Sequence, residues 1–178
     1  MMNAEIRLMA NMEIRKLALE DLQQRVDWMN NPLVYKSMHF NVPVLIDRTI
    51  EWYNRNQQRE DRVDCAFYDE AGEIVAFGGI TSINKEVGKG ETYIFTNPDA
   101  LHRGIGTRAM RLLCKYGFET VGLNKLYAYT NEDNAASIGL HKKVGYEIEG
   151  HLRQEYKDAN GNLKDRIYLG YLRQNYSK

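Results

Sequence analysis

The 178 residues include 24 Lys plus Arg and 24 Asp plus Glu, a formal net charge of zero, and 43% of them are hydrophobic. That length holds one domain with a sizeable core, and the charge balance argues against nucleic acid as the main partner, because phosphates select a basic surface. The longest apolar runs fall short of a membrane span and the N-terminus lacks the apolar core of a signal peptide; Cys65 and Cys114 are too few and too far apart for a disulfide framework, so reduced structural thiols in a cytoplasmic enzyme without a metal are expected.

Residues 1–11 show no clear pattern and read as an N-terminal extension, non-native or disordered, with Met12 a candidate biological start; 12–178 reads as a single domain. Glu13–Lys16 is strand-like. Leu22, Val26 and Met29 fall at i, i+4 and i+7, marking an amphipathic helix that stops before Asn31-Pro32, and Ile46, Ile50 and Tyr53 mark a second. Val63, Cys65 and Phe67 alternate, Asp69-Glu70-Ala71-Gly72 turns the chain, and Glu73–Ile83 returns as the longer strand of a hairpin. Glu91–Thr96 is rich in β-formers and is punctuated by Asn97-Pro98. A helix then runs to Thr120, with Ala109, Leu112, Leu113 and Tyr116 as its apolar stripe and Arg108, Arg111 and Lys115 on a solvated face. Leu126, Ala128 and Thr130 alternate in a further strand, and Asn134 opens a helix closed by Gly145. The helix between strands 91–96 and 126–130 makes them parallel neighbours. Tyr146–Lys157 and Lys164–Leu172 flank the hairpin turn Asp158-Ala159-Asn160-Gly161-Asn162.

Arg103-Gly104-Ile105-Gly106-Thr107, between a strand and a helix, is the most informative stretch. Lacking Cβ at Gly104 and Gly106, the backbone can turn sharply and present several N–H groups to a phosphate oxygen, with the positive end of the helix dipole behind them. A P-loop is excluded, because no Gly-x-x-x-x-Gly-Lys run followed by Ser or Thr occurs. A dinucleotide fingerprint fits poorly: Ala109 takes the third glycine's slot, the unit lies past the middle of the chain, and the elements before it do not alternate strand and helix.

The order strand, two helices, hairpin, strand, glycine cradle, helix, strand, helix, hairpin resembles the GNAT superfamily of acetyl-CoA-dependent N-acetyltransferases over residues 12–172. Two motifs carry the resemblance. The family's Gln/Arg-x-x-Gly-x-Gly/Ala stands here as Leu101-His102-Arg103-Gly104-Ile105-Gly106, with Leu101 in the usual polar place. Its second motif, an Asn, then alanines, then an aromatic residue or His shortly before Gly-Phe/Tyr, stands as Asn134-Ala135-Ala136 through His141 to Gly145-Tyr146. The resemblance implies an α/β (α+β) GNAT fold, a central mixed twisted sheet of about seven strands with helices on both faces. Its parallel central strands splay so that pantetheine lies between them. It implies acetyl-CoA, held by Phe95, Thr96, Asn97, Arg103, Gly104, Ile105, Gly106, Thr107, Asn134 and Ser137. The reaction implied is direct transfer to a primary amine of a small molecule such as an amino sugar or polyamine. A protein N-terminus of the ribosomal-protein alanine type is the alternative acceptor, and a non-catalytic acyl-CoA-binding sensor is a different class. A homodimer is left open.

Acetyl transfer needs the amine deprotonated, the thioester carbonyl polarised and the leaving thiolate protonated. Glu91, counted back from Pro98, aligns with the general base of several relatives, and partial burial would raise its pKa usefully; the plainer reading is a solvent-facing glutamate beside Lys89. His141 stands where many relatives carry the Tyr that protonates the thiolate, and an imidazole can donate a proton near neutral pH. The plainer reading is a helix-packing histidine bonded to a neighbour. Asn134 caps its helix with or without a contact to the ligand, and Lys142 and Lys143 either touch the adenine-ribose phosphate or form a solvated helix end. Trp28, Tyr35 and Trp52, with Met38, Phe40 and Tyr53, are candidates to line an acceptor pocket, although amphipathic helices bury such residues without a ligand. Tyr127 and Tyr129 read as sheet packing. Glu147, Glu149, Glu155 and Asp158 suit spermidine, whereas the interleaved Arg153 and Lys157 suit a nucleotide-linked amino sugar.

Overall fold

The computed structural model describes residues 12–38, 40–100, 104–158 and 160–176. The extension 1–11, Leu101, His102 and Arg103 of the cradle, and Ala159 of the last turn lie outside the described residues. The strands are β1 (Glu13–Lys16), β2 (Val63–Tyr68), β3 (Ile74–Asn84), β4 (Lys89–Thr96), β5 (Lys125–Asn131), β6 (Glu147–Lys157) and β7 (Leu163–Leu172). They form one seven-stranded sheet in the order β1-β2-β3-β4-β5-β7-β6. Every neighbouring pair is antiparallel except β4 with β5, which is parallel as the intervening helix demands. The α-helices among the described residues are α1 (Leu22–Met29), α2 (Pro32–Met38), α3 (Ile46–Asn56), α4 (Ile105–Lys115) and α5 (Ala135–Val144).

Period-two alternation sorts the strands' apolar residues into two cores, one on each face. Cys65, Phe67, Ala76, Ile80, Leu126 and Ala128 face α4 and α5, meeting Met110, Leu113 and Val144. Ala66, Phe77 and Phe95 face the other way, under Leu22, Trp28 and Val34 of α1 and α2. Burying a side chain such as Phe77 stabilises by about 1.5–3 kcal/mol, so neither layer of helices can lift away cheaply. Both cysteines are free and buried, and burial pushes each thiol up to about 12. They are packing residues without reactivity.

Three local differences from the sequence reading have physical causes. Asn31-Pro32, read as a stop, also starts α2: the Asn31 side-chain oxygen accepts the Leu33 N–H, and proline at the first helical position lacks only an N–H that would be unpaired anyway. The buried stripe of α4 is Ala109, Met110, Leu113 and Cys114, with Leu112 and Tyr116 half-buried at its flank. The helix lies on the sheet along a line one residue away from the expected one. Beyond Lys115 the chain winds as a π-helical turn over Tyr116–Thr120, closed by Val121 N–H donating to the Tyr116 carbonyl.

Candidate active site

β4 and β5 pair through only three rungs, Lys89 with Lys125, Gly90 with Leu126 and Glu91 with Tyr127. Past Glu91, β4 continues to Thr96 on β3 while β5 continues to Asn131 on β7. Two parallel strands that stay tied to their outer neighbours but stop pairing with each other leave a wedge in the sheet, the expected splay. Thr92 pins its apex. Its hydroxyl donates to the Tyr127 carbonyl at 3.2 Å and accepts from the buried Tyr146 hydroxyl at 2.8 Å.

α4 begins at the wide end of the wedge. Gly104 precedes it at φ +73°, a left-handed conformation that glycine adopts without strain, and no side chain caps the helix. The first bond back to the cap runs from Arg108 N–H to the Gly104 carbonyl, so the N–H groups of Ile105, Gly106 and Thr107 have no partner within the helix. Gly106 serves a different purpose from Gly104. A Cβ there would stand 2.9 Å from Leu140 Cδ1 and 3.5 Å from Thr96 Cγ2, so glycine lets the first turn of α4 close on both the end of β4 and α5. Donors without a partner among the described residues, a left-handed turn and a helix dipole fit the diphosphate of coenzyme A. Phe95 is buried in the floor beside Thr96. Asn97 is occupied internally: its N–H donates to the Val75 carbonyl, its carbonyl accepts from Ala100, and its side-chain oxygen accepts from Asp99. At the start of α5, Asn134 caps the helix by accepting the Ser137 N–H at 3.0 Å.

His141, one turn after Ser137 on α5, is 6% exposed. Its Nδ1 lies 2.8 Å from the Ser137 carbonyl, which cannot donate, so in the neutral ring Nδ1 carries the hydrogen and Nε2 the lone pair. Nε2 is buried without a partner among the described residues, and the ring stands edge-on to Tyr146 with centroids 5.0 Å apart. Burial holds the imidazole below its ordinary value of 6.5, against a smaller opposite pull from the Ser137 carbonyl. The sign of the pH dependence follows. The unfolded chain takes up a proton near 6.5 and the folded chain only at lower pH, so stability contributed by neutral His141 is intact above 6.5 and is lost as pH falls through the depressed value. Urea midpoints at pH 7.5 and 5.5 test this: His141→Gln is expected to shrink the drop seen in the parent, and an unchanged drop would assign it to other groups.

Glu91 lies half-buried in mid-strand, facing Thr81 on one side and Tyr127 on the other. Alternation puts it on the same face as Tyr93 and Phe95, the face of α1–α3, whereas His141 belongs to the opposite face. Burial raises its carboxyl, with Arg166 pulling the other way. Tyr127 and Tyr129 stack with Tyr168 at centroid distances of 5.5 and 5.2 Å, the packing role expected of them.

On the Glu91 face, α1–α3 and the segment after α2 roof a cleft of about 540 Å³ whose walls include Met29, Phe40, Val44, Trp52 and Tyr93. Thr81, the cross-strand neighbour of Glu91, also lines it, which links the cleft to the wedge apex. Of the three aromatic candidates, Trp52 lines the cleft. Trp28 is 8% exposed with its ring against Phe77 at 5.1 Å, and Tyr35 sits half-buried on α2 outside the lining. Arg25, Arg48 and Arg62 also line the cleft and were not singled out from the sequence. One signal was there for Arg25: it falls three residues after Leu22, on the apolar stripe of its helix, where a charge is out of place.

The family model described as acetyltransferase (GNAT) domain matches residues 11–147. Spermidine N(1)-acetyltransferase of Escherichia coli K12 is 27% identical over 171 residues, covering 93% of this chain and 88% of that protein. The L-methionine sulfoximine/L-methionine sulfone acetyltransferase of Pseudomonas aeruginosa is 30% identical over 89 residues, 48% of this chain and 51% of that one. The crystal structure of spermidine N-acetyltransferase from Vibrio cholerae in complex with CoA and spermine superposes with a TM-score of 0.87 at 21% identity, covering 93% of this chain and 97% of that one. With the family match running through the cleft, the wedge and the helices on either side, the chain belongs to the GNAT family and is an acetyl-CoA-dependent N-acetyltransferase.

Proposed function

We propose that the chain seats a small-molecule primary amine in the cleft under α1–α3 and transfers an acetyl group to it directly at the wedge apex. The observation that carries this reading is Glu91, on the cleft face, at the last rung before β4 and β5 part. The cradle of Gly104, Ile105, Gly106 and Thr107 would hold the diphosphate, with Phe95, Thr96, Asn134 and Ser137 flanking the arm and Arg103 adjoining them in sequence. When bound, acetyl-CoA supplies an acetyl group activated as a thioester. Glu91, directly or through a water, takes one proton from the incoming ammonium, leaving a free amine as nucleophile. His141 serves the thiol side from the opposite face. As a neutral ring it offers a lone pair at Nε2, so it must first be protonated there before it can pass a proton to a leaving thiolate. The balance is one ammonium and one thioester consumed, one amide and one thiol formed, with one proton left on Glu91 and the second proton shed by the nitrogen ending on the thiol.

Mixing the protein with acetyl-CoA and a panel of amines, amino sugars, polyamines and peptides, then measuring free thiol, tests the reading. Thiol release with a small amine is expected. Release only with peptides would move the acceptor to a protein N-terminus, and acetyl-CoA binding without release across the panel would favour a sensor. His141→Ala is expected to lower turnover by about 10²-fold with little change in acetyl-CoA affinity; unchanged turnover in steady-state kinetics removes the residue from the mechanism.

A further inference from the structure

Arg25 projects from α1 into the core rather than to solvent and is only 5% exposed. Aromatic rings surround its guanidinium, with Phe95, Trp52, Phe77 and Tyr93 centroids 5.1, 5.3, 5.8 and 5.9 Å away. Among the described residues it has no hydrogen bond and no carboxylate partner, and its buried Nε is unpaired. The acid of this neighbourhood is already committed: Asp64 accepts two bonds from Arg62, each 2.8 Å, and a third from the Tyr93 hydroxyl. Arginine cannot escape such a position by losing its proton, and an unpaired buried charge is strongly disfavoured. Aromatic faces compensate only in part. Arg48 of α3, another residue of the lining, is exposed and has no ion pair among the described residues, and none of the described residues lining the cleft is Asp or Glu.

We infer, resting on the acetyl-transfer reading above, that the acceptor carries an anionic group, a carboxylate or a phosphate, which the cleft recognises through Arg25 and Arg48. The guanidinium fork of Arg25 matches two oxygens of such a group, and the anion supplies the partner that the core withholds. A polyamine brings only positive charge to walls holding two unneutralised cations. The cleft therefore selects against the cationic substrates named for the E. coli and V. cholerae relatives. The anion sits at the Arg25 end, and the amine points to Thr81 and Glu91.

The experiment compares glucosamine 6-phosphate with glucosamine, 4-aminobutanoate with 4-aminobutanol, and spermidine as the cationic arm, by thiol release and separately by tryptophan fluorescence on titration, since Trp52 borders the guanidinium. The two pairs separate phosphate from carboxylate. In the parent, at least one anionic amine is expected to exceed its uncharged counterpart and spermidine by tenfold or more in kcat/KM. Arg25→Gln is expected to collapse that ratio by tenfold or more, chiefly through KM, and Arg25→Lys to restore it only in part. Arg48→Gln, on an exposed position where folding is not at stake, is expected to lower the ratio less. Spermidine as the preferred acceptor, or an equal effect of the variants on all acceptors, overturns the inference and leaves acetyl transfer standing. If no amine releases thiol, the titration decides: anion binding that Arg25→Gln abolishes upholds the inference while the transfer reading falls, and an absence of anion binding sinks the inference as well.

Discussion

Glu91→Gln is expected to lower kcat by about 10²–10³-fold while leaving acetyl-CoA affinity within about twofold, as removal of a positioned proton acceptor does. Glutamine keeps the shape and the half-buried rung between Thr81 and Tyr127 but cannot accept the proton. The pH profile supplies a second readout. Because burial raises the Glu91 carboxyl, the parent rate falls on the acid side as that group protonates and stops accepting, and this limb should vanish in the variant. The remaining dependence is then that of the amine itself and of His141. A variant that retains both the rate and the acid limb would assign proton removal to bulk water or to another group, and the proposed geometry of attack from the cleft face would lose its base.

Gly79→Ala is expected to be the most damaging single methyl in the sheet. A Cβ at this position would lie 2.4 Å from the Val63 carbonyl oxygen, 2.8 Å from Tyr93 Cε1 and 3.2 Å from Asp64 Cα. Two of those three contacts are backbone of β2, which β1 and β3 hold in register on both sides. Relief therefore requires parting strands rather than rotating a side chain. A loss of about 3 kcal/mol or more follows from overpacking of this kind, lowering Tm by roughly 6–12 °C for a chain of this size. Gly90→Ala offers the comparison, because its nearest contacts, at 2.5 Å and 3.1 Å, are Ile80 Cγ2 and Leu123 Cδ1, side-chain atoms rather than backbone. Thermal melts of the two variants should rank Gly79 well below Gly90. Equal melts would mean that the sheet has slack at β2. Displacing Tyr93 also disturbs its bond to Asp64, so acceptor KM should rise in the surviving Gly79→Ala protein.

What could be read from the sequence was whatever local periodicity and turn chemistry encode. The Asn134 cap and the Gly145 stop of α5, the hairpin turn at Asp69–Gly72 and the parallel pairing of the strands flanking α4 all depend on neighbours in the chain or on the length of a crossover. The candidate site was legible in part. Gly104 makes the sharp turn expected of it, and makes it in the left-handed region, whereas the reason for Gly106 lies in Leu140, which no short-range pattern connects to it. The apex pin between Thr92 and Tyr146 joins residues 54 positions apart, and alternation within β4 marks Thr92 only as an inward-facing polar residue. Arg25 is the most instructive omission. The stripe Leu22, Val26, Met29 marks the helix, and Arg25 is the one charge lying on that stripe, a rule broken locally where a ligand's requirements tend to show.

The sheet stands as a partition between Glu91 and His141. The roof over the cleft and the cradle at the head of α4 are consequently built from separate helices. Helices α1–α3 can then be rewritten by evolution for a new guest while the grip at the head of α4 stays untouched, and a swap of that roof alone between relatives should exchange taste without exchanging currency.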